Sequence, residues 1–147
     1  MFRHILIATD GSDLAHKAAT NGISLAKAVG ANVTAVTVSA PFRSYDVLPS
    51  SVMNDFSGAF SQYVEDVNAA DLLDDVSKIA RACGVRCEVL QIEQEHPHEA
   101  IVEVAEREKC DLIVMASHGR RGLAAVLLGS VTAKVLANAT VPVLVYH

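Results

Sequence analysis

Residues 112–136 read LIVMASHGRRGLAAVLLGSVTAKVL, and this stretch joins three different patterns. It begins with five consecutive apolar residues, continues through a loop with glycines and two arginines, and ends with apolar residues at helical spacing. A short apolar run bounded by turn residues is typical of a buried strand. The stretch therefore predicts a strand, a loop and a helix in succession, which is the unit of a parallel α/β sheet.

The same alternation extends over the rest of the chain. Short runs rich in β-branched residues occupy 4–9, 33–38, 85–92 and 141–146, and stretches with helical spacing lie between them. Alternating strands and helices imply right-handed crossovers and a parallel sheet covered on both faces. We therefore predict a single doubly wound α/β domain over residues 1–147, with a five-stranded parallel sheet and helices on both faces. The uninterrupted apolar runs suit central strands, whereas the alternation within 85–92 suits an edge strand.

Turn residues mark several of the predicted boundaries. Gly30 and Gly84 stand where helices should end, and Pro97 stands where a helix should begin. Residues 40–58 contain two prolines and no clean period, so this segment is interpreted as a long connection after the second strand.

Composition excludes several classes of function. The formal net charge is −5, and the lysines and arginines form no cluster large enough to neutralise nucleic-acid phosphates. The three cysteines lack the spacing of a metal or redox site and are expected to be free thiols: Cys83, Cys87 and Cys110. No apolar run approaches the roughly 20 residues of a membrane span, and the first residues do not resemble a secretory signal. We expect a cytoplasmic protein that binds neither nucleic acid nor membrane.

The loop after LIVMA has the features of a phosphate site. Ligands of open α/β sheets bind beyond the carboxyl ends of the strands. Glycine lets a phosphate approach backbone N–H groups, and a helix that begins near Gly129 and Ser130 offers unpaired N–H groups. Arg120 and Arg121 add positive charge. Each feature also has a purely structural interpretation, because Ser130 is an ordinary N-cap residue and short glycine motifs are common in turns.

Two long stretches resemble the universal stress protein family. ILIATDGS resembles the first strand and turn of that family, and CDLIVMASHGRRGLAAVLLGSVTAKVLANATVPVLVY resembles its last third. The ATP-binding branch carries G-x2-G-x9-G-[ST]; Gly119, nine residues and Gly129-Ser130 match its later positions, but Ala116 replaces the first glycine. The resemblance implies the strand order 3-2-1-4-5 and the binding of ATP, with Mg²⁺ held through the phosphates and by no protein side chain.

The resemblance also implies which residues would bind ATP. Asp10 would meet the adenosine part, and the backbone of Val38 would meet the adenine edge. The phosphates would lie against backbone donors around Gly119 and Gly129-Ser130. The residues that the resemblance places around the loop are Ala116, His118, Gly119, Arg120, Gly129, Ser130 and Val131. Asp-Gly is also a common turn, and a histidine in a surface loop needs no ligand to explain it.

No set of residues indicates catalysis. The chain has no nucleophile elbow and no phosphate-binding loop with a lysine. His96, His98 and Glu99 do not form a metal-ligand set, because neighbouring helical residues point in different directions. We therefore expect a sensing or regulatory module of the stress response and not an enzyme. A dimeric interaction module that does not bind nucleotide is the alternative, and a nucleotide-dependent transferase is the third class.

The last predicted strand indicates how two copies would associate. We expect this strand to pair over Pro142 to Tyr146. Only His147 follows it, so nothing later in the chain is expected to cover its outer edge. An uncovered apolar edge is a template for pairing with another strand. We therefore expect a homodimer in which two copies of this strand pair about a two-fold axis.

Overall fold

The computed structural model describes residues 1–41, 54–119 and 128–147, and of the second helix it describes side chains from Asn68 onward. Strands and helices alternate along the chain, and four helices and five strands are described. In chain order they are β1 (His4–Ala8), α1 (Asp13–Val29), β2 (Asn32–Ser39), α2 (Asn54–Ala82), β3 (Cys87–Glu93), α3 (Pro97–Arg107), β4 (Leu112–Ala116), α4 (Ser130–Asn138) and β5 (Val143–Tyr146).

The five strands form one parallel sheet in the order β3-β2-β1-β4-β5. This confirms the predicted fold class and strand order. The side chains of β1 and β4 are almost entirely buried, as expected of central strands. Strand β3 lies at an edge, as its alternating sequence predicted.

Apolar side chains form a core on each face of the sheet. On one face, Ile5 and Ile7 of β1 pack with the buried stripes of α1 and α2. On the other face, Leu6 and Ala8 pack with α3 and with Val135 of α4. Successive residues of β1 thus serve opposite cores, which is why the strand is apolar without interruption. Among the described helices, none is long and apolar enough to cross a membrane.

Three boundaries differ from the sequence prediction. Strand β3 begins at Cys87 and not at residue 85, because Val85 donates its N–H to the Ala80 carbonyl (2.9 Å) and closes the end of α2. Strand β5 begins at Val143, after Pro142. Helix α2 already begins at Asn54, so the connection predicted over 40–58 is too long; residues 42–53 lie outside the described residues.

Three helices are followed by a left-handed residue, and the N–H of the residue after it donates to the carbonyl five positions earlier. Gly30 (φ 72°) follows α1 and Gly84 (φ 72°) follows α2, as the sequence indicated. After α3 the equivalent residue is Lys109, with φ 54°; its N–H donates to the Glu106 carbonyl (3.1 Å). A Cβ atom makes this conformation unfavourable by about 1–2 kcal/mol. Helix α3 therefore ends at a residue that fits its position less well than glycine would.

Lys109→Gly should stabilise the protein by about 0.5–1 kcal/mol, because relief of the left-handed strain exceeds the added flexibility of the unfolded chain. Urea unfolding measures the change as a higher midpoint at constant slope. Lys109→Ala is the matched control, since it removes the ammonium group but keeps a Cβ in the same conformation. A gain for the alanine variant equal to that for glycine would contradict the strain explanation.

Candidate functional site

Strand β1 ends before both of its neighbours in the sheet. Its last pair with β4 joins Ile7 to Val114, and its pairing with β2 ends where the Thr9 N–H donates to the Val36 carbonyl (3.0 Å). Strand β2 continues to Ser39 and β4 continues to Ala116. We call the space beyond Thr9, between residues 37–39 of β2 and residues 115–116 of β4, the β1 notch. Crossovers leave β1 and β4 towards opposite faces, so the notch lies where ligands of open α/β sheets bind.

The backbone of Val38 is directed into the β1 notch. The Val36 carbonyl faces β1, where it accepts from Thr9, and the Ser39 carbonyl faces β3, where it accepts from Gln94 (2.9 Å). Backbone groups of successive strand residues point to opposite sides. Val38 therefore directs its N–H and C=O to the side that β1 has left. This geometry gives the adenine-edge role predicted for Val38 a physical basis.

The turn after β1 places a carboxylate at the mouth of the β1 notch. Gly11 takes a left-handed conformation (φ 79°), and the Ser12 N–H donates to Asp10 Oδ1 (3.0 Å). The Ser12 hydroxyl in turn accepts the Ala15 N–H (3.2 Å) and caps α1. The Asp10 carboxylate lies against Gly119, where a Cβ atom would collide with Oδ2. We call residues 117–129, between β4 and α4, the glycine loop. Gly119 is needed because this loop closely approaches the turn after β1, at Asp10.

Two hydrogen bonds join the end of β4 and the first residue of the glycine loop to the beginning of α4. The Gly129 N–H donates to the Ser117 carbonyl (2.8 Å), and the Thr132 hydroxyl donates to the Ala116 carbonyl (2.9 Å). A Cβ atom at Gly129 would approach the Ser117 carbonyl to 3.4 Å and His118 Cα to 3.2 Å. The loop is thus closed at its base, and its two ends are held side by side.

This closure refines one expectation about the loop and corrects another. The Gly129 N–H is already bonded within the protein, so the backbone donors predicted around Gly129 and Ser130 would be the N–H groups that follow it. Gly129 is the N-cap of α4 and Ser130 is the first helical residue, so Ser130 is not the N-cap residue. No side chain caps this helix, and its first turn carries no acid. The N–H groups of Ser130 and Val131 lack intrahelical partners, as all first-turn N–H groups do, and they remain suited to bind an anion.

A cavity of about 700 Å³ occupies the β1 notch and extends to the first turn of α4. This volume is within the range of small-molecule sites. Eight of the nine residues predicted from the sequence to bind ATP line the cavity, and the ninth, Arg120, lies outside the described residues. The eight are Asp10, Val38, Ala116, His118, Gly119, Gly129, Ser130 and Val131.

The cavity has an apolar part and a polar part. Side chains from five elements form the apolar part: Ala8, Val36, Ile101, Met115 and Val131. Hydroxyls, the Asp10 carboxylate and His118 lie on the other part, together with the start of α4. His118 Nδ1 forms a hydrogen bond with the Ser117 hydroxyl (3.1 Å), which orients the imidazole ring. Among the described residues of the lining, none is a lysine or an arginine, so positive potential comes from the N-terminus of α4.

Ala116, which replaces the first glycine of the motif, fits the strand without strain. It pairs with Tyr146 in the sheet, and among the described non-glycine residues only Lys109 has a positive φ. The Ala116 methyl belongs to a small cluster with Ala15 and Ala18 of α1. The methyl group therefore packs against the helix on the opposite face from Met115, and the backbone at this position does not require glycine.

Several lining residues were missed by sequence reasoning. The sequence places Met115 in a predicted strand and indicates no role in binding for Ile101. The bond from Thr132 to the Ala116 carbonyl could not be predicted from the sequence, because it depends on how the loop closes. Two patterns in the sequence point to Met115 and Ile101. Side chains along β4 alternate between the two faces of the sheet, which places Met115 on the face of α3, and the apolar stripe of α3 includes Ile101. Within the described part of the chain, no group of three histidine, cysteine or acidic residues is arranged to hold a metal ion.

Comparison with known proteins identifies the relatives of this chain. The chain is 37% identical over 146 residues to universal stress protein MJ0531 of Methanocaldococcus jannaschii, across 99% of this chain and 82% of that protein. It is 35% identical over 144 residues to a universal stress protein of Thermus aquaticus, across 98% of each.

Solved structures agree with these relatives. The structure of MJ0577 gives a TM-score of 0.76 at 27% identity and covers 99% of this chain and 96% of that one. A universal stress protein solved in complex with cAMP gives a TM-score of 0.72 at 28% identity, and the match covers 99% of this chain and 97% of that one. A model of the universal stress protein family matches residues 1–147. With this match over its whole length, the chain belongs to the universal stress protein family.

Proposed function

We propose that this protein binds ATP in the β1 notch and acts as a sensing or regulatory module of the stress response in the cytoplasm. The observation that supports this proposal most directly is the cavity, which joins an apolar cleft to the uncapped first turn of α4. A nucleotide has the same two parts, an apolar base and an anionic phosphate chain. The related universal stress protein that was solved with cAMP supports binding of an adenine nucleotide.

Each part of the cavity suits one part of ATP. Val36, Ile101 and Met115 offer apolar contacts to the adenine ring, and the inward backbone of Val38 offers a donor and an acceptor to its edge. The Asp10 carboxylate only accepts hydrogen bonds, which suits ribose hydroxyls and not phosphate oxygens. The first-turn N–H groups of α4 and the Ser130 hydroxyl suit the phosphates. Gly119 and Gly129 fit this arrangement, because a Cβ at Gly119 would collide with Asp10 and a Cβ at Gly129 would be in tight contact with His118.

The proposed activity is binding and not catalysis. The serine that is hydrogen-bonded to His118, Ser117, is buried and is not among the described residues that line the cavity. Mg²⁺, when it accompanies ATP, would be held through the phosphates. It would neutralise their charge there, and the protein would contribute no side-chain ligand.

A dimeric interaction module is the second candidate, and the open edge of β5 favours it. The Pro142 carbonyl accepts from Ile113 and the Tyr146 carbonyl accepts from Ser117, so even-numbered residues face β4. By alternation, Val143 and Val145 direct their backbone groups outward. Leu144 is 39% exposed beside this edge. We propose a homodimer through β5, which is compatible with nucleotide binding because the cavity lies at the end of the sheet and not along this edge.

Purified protein should release ATP on denaturation, and titration calorimetry should detect binding of Mg-ATP. Ser130→Ala should weaken binding by about 1–3 kcal/mol, or roughly 5- to 150-fold, because a hydrogen bond to a charged phosphate is lost. Its unfolding free energy should not change, since Ser130 caps no helix. Ser130→Thr keeps the hydroxyl and should bind like the parent. Equal affinity in all three proteins would rule out a phosphate contact by Ser130, and no binding by the parent would favour the interaction module.

Ala116→Gly should leave the affinity for Mg-ATP unchanged. The Ala116 methyl packs on α1, so its removal would enlarge the cavity beside that helix and not at the first turn of α4. The variant should instead lose about 1 kcal/mol of stability, because a strand glycine is more flexible in the unfolded chain. Calorimetry and urea unfolding measure the two effects separately. Marked strengthening of binding would show that the methyl obstructs the nucleotide.

The homodimer should be visible by light scattering as twice the 15.6 kDa chain mass at micromolar concentration. Val145→Pro should yield a folded monomer, because proline removes an outward N–H that no neighbouring strand uses. Leu144→Pro is the contrasting variant: it removes an inward N–H and should unfold the strand. A monomeric parent protein would contradict the dimer.

A further inference from the structure

Thr132 is a buried polar residue that lies outside the G-x2-G-x9-G-[ST] motif. Its side chain is 3% exposed and lines the cavity at the third residue of α4. The hydroxyl donates to the Ala116 carbonyl across 16 residues of chain (2.9 Å). A hydroxyl has a single proton, so Thr132 cannot also donate to a phosphate. Its effect on a ligand must come through what it holds in place.

The carbonyl that Thr132 holds has no partner in the sheet ladder. Ser117 directs its N–H to β5, so the preceding residue, Ala116, directs its carbonyl to the β1 side. There β1 has already ended, since its last pair with β4 is Ile7 with Val114. Without Thr132 this buried carbonyl would lose its partner, and an unsatisfied buried acceptor is unfavourable. The early end of β1, which creates the β1 notch, thus also creates the need for Thr132.

We propose that Thr132 is a positioning residue for nucleotide binding: its bond to Ala116 fixes the first turn of α4 against the end of β4. Together with the bond from Gly129 to Ser117 (2.8 Å), it orients the free N–H groups of Ser130 and Val131 before a ligand arrives. Donors that are already oriented bind an anion without the entropic cost of ordering the loop. This proposal rests on the proposed nucleotide function.

Thr132→Val tests the proposal because valine has the shape of threonine without the hydroxyl. Affinity for Mg-ATP by calorimetry should fall about tenfold, which is about 1.4 kcal/mol. Thr132→Ser keeps the hydroxyl and should restore the parent affinity. Thr132→Ala repeats the measurement if the valine variant does not fold. Thr132→Val that binds as tightly as the parent would overturn the proposal.

Thr34→Val is the matched control. Thr34 is also fully buried and its hydroxyl forms a hydrogen bond with His4 Nε2 (2.8 Å), but it lies near the opposite end of the sheet from the cavity. This variant should lose stability and keep the parent affinity. Weaker binding in Thr34→Val equal to that in Thr132→Val would attribute the effect to general destabilisation and overturn the positioning role.

Amide hydrogen exchange of Gly129 without nucleotide separates this inference from the proposed function. Its exchange should be about tenfold faster in Thr132→Val than in the parent, because the base of the loop opens more often. It should be unchanged in Thr34→Val. If the parent binds no nucleotide, the proposed function fails, and faster Gly129 exchange still supports Thr132 as the residue that holds the loop. Unchanged exchange overturns that role.

Discussion

The early end of β1 is the constraint on which the rest of the site depends. Because β2 and β4 continue past Thr9, two strand edges face each other with no strand between them. One edge presents the backbone of Val38, and the other presents the carbonyl of Ala116. An open pair of edges inside a protein must find other partners, since buried backbone groups are almost always hydrogen-bonded. The protein satisfies one edge with Thr132, and the other edge is where the proposed ligand makes its contacts.

Closure of the loop would let the proposed site favour anions without a described lysine or arginine. The first turn of α4 lacks a side-chain cap and lacks an acid. Its position is fixed by bonds from Gly129 and Thr132, so its dipole keeps a constant direction towards the cavity. A fixed dipole in a partly enclosed cavity acts more strongly than the same groups in water. Among the described residues, backbone geometry and not a charged side chain would therefore provide the proposed preference for anions.

The fold could be predicted from the sequence because most strands are compact apolar runs and most helices have a clear period. The predicted starts of β3 and α2 were wrong because the residues there have the sequence character of a different element. Val85 is apolar and β-branched like a strand residue, yet it closes the turn after α2. Asn54 begins a helix in a segment where prolines and small polar residues hide the period.

The site was predictable to the extent that it is carried by a local motif. Gly119, Gly129 and Ser130 are separated by a fixed spacing, and Asp10 follows directly after a strand. The β1 notch was not predictable, because its depth depends on the register of β1 against β2 and β4, and register is set by pairing across the sheet. The roles of Thr132 and of the Gly129 N–H follow from that register. They become visible only when the two ends of the loop are placed side by side.

The contact between Gly119 and Asp10 links two positions that are far apart in the sequence. Any side chain at residue 119 would require the carboxylate at residue 10 to move or to be replaced. Substitution at one position therefore changes which residues the other can accept. Among descendants of a common ancestor, the two positions should be inherited as a pair, and a lineage that gives up the glycine should show a changed residue at the end of its first strand.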